Sequence, residues 1–267
     1  MRIHVRSAAA PAALLLLLAT SASAQTVKPG TPFEPRVGQS GKDVVWVPSP
    51  QALVDRMLDM AKVSPKDFLM DLGSGDGITV ITAAKRGVTA LGIEYEPPMV
   101  ELSKKNAQAA GVANKATFMK ADLFETDLSK ADVISMFLLP SINMRLRPTL
   151  LDLKPGTRIV SNTFDMEDWE ADESQHAGGD CASWCTALLW IVPAKVQGSW
   201  QTPQGELVLT QRFQMVSGTL AGSQISGGRL RGDSLAFTVG GVAYQGTVAG
   251  STMTGTGPGG AWTATKK

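Results

Sequence analysis

The run Asp71-Leu72-Gly73-Ser74-Gly75-Asp76-Gly77 follows a short apolar stretch, Phe68-Leu69-Met70, and precedes a segment free of helix breakers from Ile78 to Arg86. Glycines at three alternate positions remove the side chains where a backbone must turn sharply and approach a ligand closely. A turn of this kind delivers a buried strand to a helix whose first N–H groups have no partner. It belongs to an open α/β sheet, whose ligand crevice lies outside the carboxyl ends of its strands.

The surrounding text alternates as such a sheet requires. Ser49-Pro50 predicts a helix start, with serine as N-cap and proline in the first turn; Leu53, Val54, Met57, Leu58 and Ala61 then share one face, ending near Val63. Strands are predicted at 68–71, 88–94, 116–120, 132–138 and 158–163, and helices at 78–86, 98–110 and 142–153. Short apolar strands alternating with helices signal a parallel sheet covered on both faces. Residues 165–183 are acidic and polar and read as a long loop or lid, and Leu188–Val192 as one more strand at the antiparallel edge. The expectation is a doubly wound, seven-stranded α/β sheet.

The last part differs in kind. Residues 199–267 hold 14 of the 27 glycines, and Leu207, Leu209, Phe213 and Met215 alternate with polar residues. An apolar-x-Gly triplet recurs at Leu220/Gly222, Leu230/Gly232, Tyr244/Gly246 and Met253/Gly255. Turn signals so spaced predict a small antiparallel β-sheet or partial barrel, with Trp200 and Trp262 near its ends. The predicted organisation is a leader at 1–24, an α/β domain at 25–198, of which 25–45 form an extended arm, and a Gly-rich β domain at 199–267.

The acids around the glycine turn narrow the ligand. A dinucleotide site favours G-x-G-x-x-G with an open helix start for pyrophosphate. Here the spacing is G-x-G-x-G, with Asp71 directly before it and Asp76 inside it. An acidic rim repels phosphate and suits a cationic, phosphate-free ligand, which counts against a nicotinamide oxidoreductase. Gly92-Ile93-Glu94 closes the second strand, placing a carboxylate where it chelates ribose hydroxyls. Ala121-Asp122 closes the third, where a carboxylate accepts from an adenine amino group. Three acids at the ends of three consecutive strands predict a nucleoside crevice, and S-adenosylmethionine (SAM) is the nucleoside that fits the charge.

DLGSGDG, GIEYEP and KADLFE resemble the SAM-binding blocks of class I methyltransferases. GQSGKDVVWVPSP (38–50), AAKRG (83–87), MFLLPSINMRLRP (136–148) and LKPGTRIVSNTF (153–164) resemble more particularly the lysine methyltransferases acting on the ATP-synthase c-subunit and adenine nucleotide translocase, with their bacterial relatives. The likeness covers about residues 38–195. It implies that Asp71, Gly73 and Gly75 hold the methionine half, Glu94 the ribose and Asp122 the adenine, with Ser74, Gly77, Tyr95 and Leu123 also binding the cofactor. Phe137, Leu138, Pro140 and Asn143 would border the methyl group and its acceptor. Trp46, Asn162, Phe164 and Trp169 are further candidates for the acceptor channel. Two positions depart from the family: Ile78 stands where a basic residue is expected, and Glu167 where a glycine is.

The implied activity is methyl transfer from SAM to an acceptor, a protein lysine or a small amine. An in-line displacement needs a neutral nucleophile aligned behind the methyl group, so positioning carries much of the acceleration. A dry channel lowers the pKa of a lysine acceptor and helps it lose its proton. The alternative reading is an exported binding or envelope-associated module that keeps a vestigial SAM pocket.

Other features bound the setting. A net charge of +1 gives no overall field toward nucleic acid. His4 and His176 are the only histidines and form no Cys/His cluster, so no metal site is expected. Arg2 and Arg6, the apolar run Ala8–Ala19 and Ala22-Ser23-Ala24 read as a secretory signal cleaved before Gln25. An apolar run of about 12 residues is too short to span a bilayer, so no stable membrane span is expected after cleavage. The chain is thus expected in the periplasm, away from the cytosolic supply of SAM. There Cys181 and Cys185 either form a short-loop disulfide or remain free thiols.

Overall fold

The computed structural model describes residues 33–179 and 181–267, so the expected leader at 1–24 lies outside the described residues. Seven strands form the first sheet: β1 Phe68–Leu72, β2 Thr89–Glu94, β3 Ala116–Lys120, β4 Val133–Met136, β5 Arg158–Asn162, β6 Glu173–His176 and β7 Thr186–Ile191. Their order is β3-β2-β1-β4-β5-β7-β6, with β1 to β5 parallel and β7 antiparallel to both its neighbours. The sheet is the seven-stranded α/β architecture expected. One detail changes. The strand anticipated at the edge is inserted between β5 and β6, and the edge is a short strand within the segment read as loop.

Alternation along the strands divides the core in two. Leu69, Ala90, Val133 and Val160 pack under α1 (Gln51–Met60), α2 (Ile78–Lys85) and α3 (Pro97–Ala109). Met70, Leu72, Ile93, Ile134 and Ile159 pack on the opposite face with Leu146 and Leu150 of α4 (Pro140–Leu151). Covering both faces lets the strands be apolar throughout. Leu53, Val54, Met57 and Leu58 of α1 are buried as their spacing predicts. Its start differs from expectation. Pro50 occupies the N-cap with extended backbone and no side chain caps the helix. Ser49, one residue too early, instead accepts a hydrogen bond from Asn162 Nδ2 at 3.2 Å.

The C-terminal part closes fully rather than partially. Strands β8 (Gly198–Thr202), β9 (Gly205–Arg212), β10 (Met215–Leu220), β11 (Ser223–Arg231), β12 (Ser234–Val239), β13 (Val242–Ala249), β14 (Thr252–Gly257) and β15 (Gly260–Lys266) form an antiparallel barrel. Pairing of β8 with β15 and of β9 with β10 leaves no free edge. Trp200 and Trp262 lie inside it, with Trp262 edge-on to the stacked Phe237 and Tyr244 rings. The recurrent glycines split by role. Gly222 and Gly232 occupy turns at positive φ, whereas Gly246 and Gly255 sit inside strands. A Cβ on Gly246 would stand 2.8 Å from the Trp262 ring.

The acidic segment 165–176 is a platform for this barrel, not a free lid. Asp168 pairs with Arg147 of α4 and, at 3.0 Å, with Arg212 of β9. Asp172, whose side chain is fully buried, meets Arg229 of β11 at 2.7 Å, and Glu173 meets Arg231. Trp169 stacks on Phe213, and Gln214 Nε2 donates to the Glu170 carbonyl at 2.8 Å. Glu167 has φ 53°, a left-handed conformation in which the glycine that the resemblance leads one to expect carries no steric penalty; nothing in the structure explains the glutamate.

Truncating Arg229 leaves the Asp172 carboxylate in place without its cation. Arg229→Ala is expected to destabilise the fold by roughly 1–3 kcal/mol, read by chemical denaturation, while Arg212→Ala, on an exposed pair, costs under about 1 kcal/mol.

Candidate active site

The carboxyl ends of β1 to β5 share one edge of the sheet, and the loops leaving that edge enclose a cavity. The glycine turn forms its floor. Gly73 N and Ser74 N donate to the Ile93 carbonyl at 2.9 and 3.1 Å, which ties the turn to β2. Gly75 adopts φ 54°, and a Cβ there would stand 2.7 Å from Trp46 Nε1. Only glycine lets Trp46 close on the turn. Trp46 belongs to the arm, where a small hairpin forms through the Ser40–Val45 bridge and through Gly38 N to Trp46 O at 2.8 Å.

Asp71 is the most buried acid of the cavity lining, 7% exposed. Strand register sets Ser135 of β4 opposite it, and Ser135 Oγ donates to its carboxylate at 2.6 Å. Burial pushes the Asp71 carboxyl up to about 7; the Ser135 hydrogen bond opposes this, and the charges of Glu94 and Asp76 add to it. Burial also raises Asp76, whose Oδ1 accepts from Ile78 N at 3.3 Å. Ser74 Oγ is buried without a hydrogen-bond partner.

Glu94, at the end of β2, accepts from Gly75 N and Glu96 N, each at 2.9 Å. At the end of β3, Asp122 accepts from Phe124 N at 2.9 Å and from the Lys42 ammonium. That hydrogen bond from Lys42 holds the Asp122 carboxyl below the usual range. The same ammonium lies 4.7 Å from the centre of the Tyr95 ring.

Asp71, Gly73, Ser74, Gly75, Glu94, Tyr95, Asp122, Leu123, Phe137 and Leu138 therefore line one cavity, joined by Trp46, Ile78 and Phe164. Others fall outside it. Gly77 ends the turn at φ 87°, with the Phe118 ring packed where a Cβ would stand, so its role is packing. Pro140 begins α4, behind the lining residue Leu139. Asn143 is fully buried beneath the site, where Nδ2 donates to the Phe164 and Asp165 carbonyls at 3.3 and 3.0 Å. It holds the Phe164 segment without facing the cavity. Asn162 lies outside the lining, its Nδ2 donating to Ser49 while its Oδ1 is buried without a partner, and Trp169 packs on Trp190 and Phe213. Spacing along the chain could not separate these inward-facing side chains from those of the site.

Three contributors were not anticipated: Lys42, Ser135 and Trp184. Ser135 had a signal, as the one polar residue in the buried strand Val133-Ile134-Ser135-Met136. Trp184 lines the cavity beside Phe137 and Phe164, with ring centroids 6.0 and 5.3 Å away. It precedes β7 and lies within the loop closed by a bridge between Cys181 and Cys185, which settles the open alternative for those two cysteines as a disulfide.

The chain is similar to known proteins over this part of its length. Residues 71–173 match the ANTKMT methyltransferase domain. A protein-lysine N-methyltransferase of Saccharolobus islandicus (strain REY15A) is 43% identical over 133 residues, covering 49% of this chain and 83% of that protein. The lysine N-methyltransferase of Mus musculus that is named for the ATP-synthase c-subunit is 29% identical over 180 residues, covering 67% and 70% respectively. Among solved structures, an RNA methyltransferase from Salinibacter ruber in complex with S-adenosyl-L-homocysteine is 45% identical, with a TM-score of 0.53. That match spans 56% of this chain and 96% of the other.

The raised Asp71 carboxyl has a consequence for stability. An acid titrating near 7 when folded and near 3.9 when unfolded carries no penalty at low pH. The penalty grows as pH rises between those values, because the fold then holds a buried charge. Ligand-free Asp71→Asn is accordingly expected to be more stable than the parent at pH 8, by about 2–4 kcal/mol, and equal to it near pH 4. Urea denaturation at the two pH values checks this.

Proposed function

Because this chain belongs to the family of SAM-dependent protein-lysine N-methyltransferases, we propose that it methylates the side-chain amine of a protein lysine. The observation carrying this reading is the division of the cavity. Acids stand at the ends of β1, β2 and β3, and the aromatics Phe137, Phe164 and Trp184 stand beside β4, β5 and β7. When bound, SAM supplies an electrophilic methyl group on a cationic sulfonium. The buried Asp71 carboxylate accepts from the ammonium of the methionine moiety. Glu94 and Tyr95 hold the ribose, and Asp122 and Leu123 border the adenine. Phe137 and Leu138 flank the methyl position and exclude water, which favours an amine in its neutral, nucleophilic form.

The likeness to the Salinibacter ruber RNA methyltransferase raises RNA as a second acceptor. Charge weighs against it here. Among the described residues of the lining, Lys42 is the one cation and is engaged by Asp122, against Asp43, Asp71, Asp76, Glu94, Glu96 and Asp122. Such a mouth repels a phosphate backbone, whereas RNA-binding surfaces are basic. We further infer export, with residues 1–24 removed and maturation to Gln25. The expected signal pattern and the Cys181–Cys185 disulfide support this reading, since such bridges persist in oxidising compartments.

Two experiments test the assignment. Incubated with radiolabelled SAM, an envelope protein extract and total RNA, the protein is expected to place label on protein lysines, located by mass spectrometry; label in the RNA instead overturns the reading. Affinity for SAM is expected to weaken about tenfold per unit below pH 7, as Asp71 takes up a proton, and to weaken again above about pH 8, as the methionine ammonium loses one. Calorimetry across that range would show no slope on the acid side if Asp71 were remote from the ligand.

A further inference from the structure

The aromatic half of the cavity contains one residue that the matched domain does not supply. Trp184 lies beyond the 71–173 match, on the turn leading into β7. Because β7 runs antiparallel, its start meets the same sheet edge at which β4 and β5 end. Phe137, Phe164 and Trp184 thus arise from three adjacent strands and form one wall, Trp184 being 44% exposed. An indole so exposed is not there to fill the core.

Its backbone says the same. Trp184 has φ 58°, and Thr163, immediately before Phe164, has φ 60°. A bulky and a β-branched residue in the left-handed region persist only where their surroundings over-determine them. The surroundings are visible. Cys181 and Cys185 are bridged across the turn that carries Trp184, with Cα atoms 5.8 Å apart. Cys185 is buried, its carbonyl accepts from Ala177 N at 2.7 Å, and Thr163 N donates to Thr186 O at 2.7 Å. The bridge and these two bonds fix the turn to β5, β6 and β7.

We propose that Trp184 is an acceptor-binding residue for an aliphatic primary amine, and that the Cys181–Cys185 disulfide is the brace that positions it. The amine's methylene stem lies along the Phe137–Phe164–Trp184 wall, and its nitrogen points toward the acidic half, where the methyl group is presented. This rests on the amine-acceptor reading above and adds to it the residue that sets acceptor affinity.

The test compares the full chain with Trp184→Ala, Trp184→Phe and the double variant Cys181→Ser/Cys185→Ser. S-adenosyl-L-homocysteine binding is measured by calorimetry, and methyl transfer is measured against increasing envelope protein extract. Trp184→Ala is expected to raise the half-saturating extract concentration roughly tenfold or more, with S-adenosyl-L-homocysteine affinity within about twofold and the Phe variant largely restored. The serine pair is expected to shift half-saturation in the same direction by a smaller factor, without loss of the thermal transition. Unchanged half-saturation in Trp184→Ala, or an equal loss of S-adenosyl-L-homocysteine affinity, overturns the acceptor role. A serine pair indistinguishable from the parent overturns the brace. If the parent itself labels no lysine, the amine reading fails and this proposal falls with it, whereas parental activity with an insensitive Trp184 removes the proposal alone.

Discussion

The carboxylate of Asp71, buried at the end of β1 and held by Ser135 across the β1–β4 pairing, is the contact on which the rest of this edge depends. A buried carboxylate costs free energy unless it is hydrogen-bonded or paired with a cation. Ser135 supplies one bond, and burial still lifts the carboxyl to about 7. In the proposed reading, a cationic ligand is the partner that this charge lacks in the free protein. The glycine turn exists beside it for a related reason, since Gly73 and Gly75 let backbone and Trp46 close in without a Cβ between them. On that reading, stability given up in the free protein would be recovered on binding, a pattern expected where a site is prepared in advance.

Much of this was legible before any coordinates. The apolar runs gave the strands within two residues, because strands covered on both faces must be apolar throughout. Asp71, Glu94 and Asp122 could be placed together because a parallel sheet puts all its carboxyl ends on one edge. What failed did so for definite reasons. Asn143 and Trp169 belong to segments that do border the site, but whether a side chain faces a cavity or the layer beneath depends on the rotation of its own residue. Ser49 was misread as a cap because Ser-Pro is equally compatible with proline itself standing at the cap. The closure of the barrel depends on β8 meeting β15, a pairing between strands that are distant in sequence and that local periodicity does not reveal.

The acidic segment teaches the same lesson through charge. Read alone, 165–176 is a solvated loop; in the fold its carboxylates face Arg147, Arg212, Arg229 and Arg231. Asp172 also accepts from Ile191 N at 2.9 Å, so the contact that docks the barrel also secures β7. Strand β7 begins at the residue after Cys185, and the barrel thereby supports, from one end, the strand whose other end presents Trp184. The glycine-rich domain is in this way mechanically continuous with the site, although none of its residues lines the cavity among those described.

The two halves of the cavity make opposite demands that a uniform pocket could not meet. A sulfonium and an ammonium are stabilised by nearby carboxylates, so the ends of β1 to β3 favour positive charge. The acceptor amine must arrive without its proton, and carboxylates in contact with it would favour the protonated, unreactive form. Aromatic walls lower that preference by removing water while adding no anion. Setting the acids on β1, β2 and β3 and the aromatics by β4, β5 and β7 separates the demands by the width of the sheet. If the methyl group is presented at the boundary between the two regions, transfer turns the sulfonium into a neutral thioether and moves its positive charge to the acceptor nitrogen, where the aromatic faces stabilise the methylated ammonium until it gives its proton to solvent.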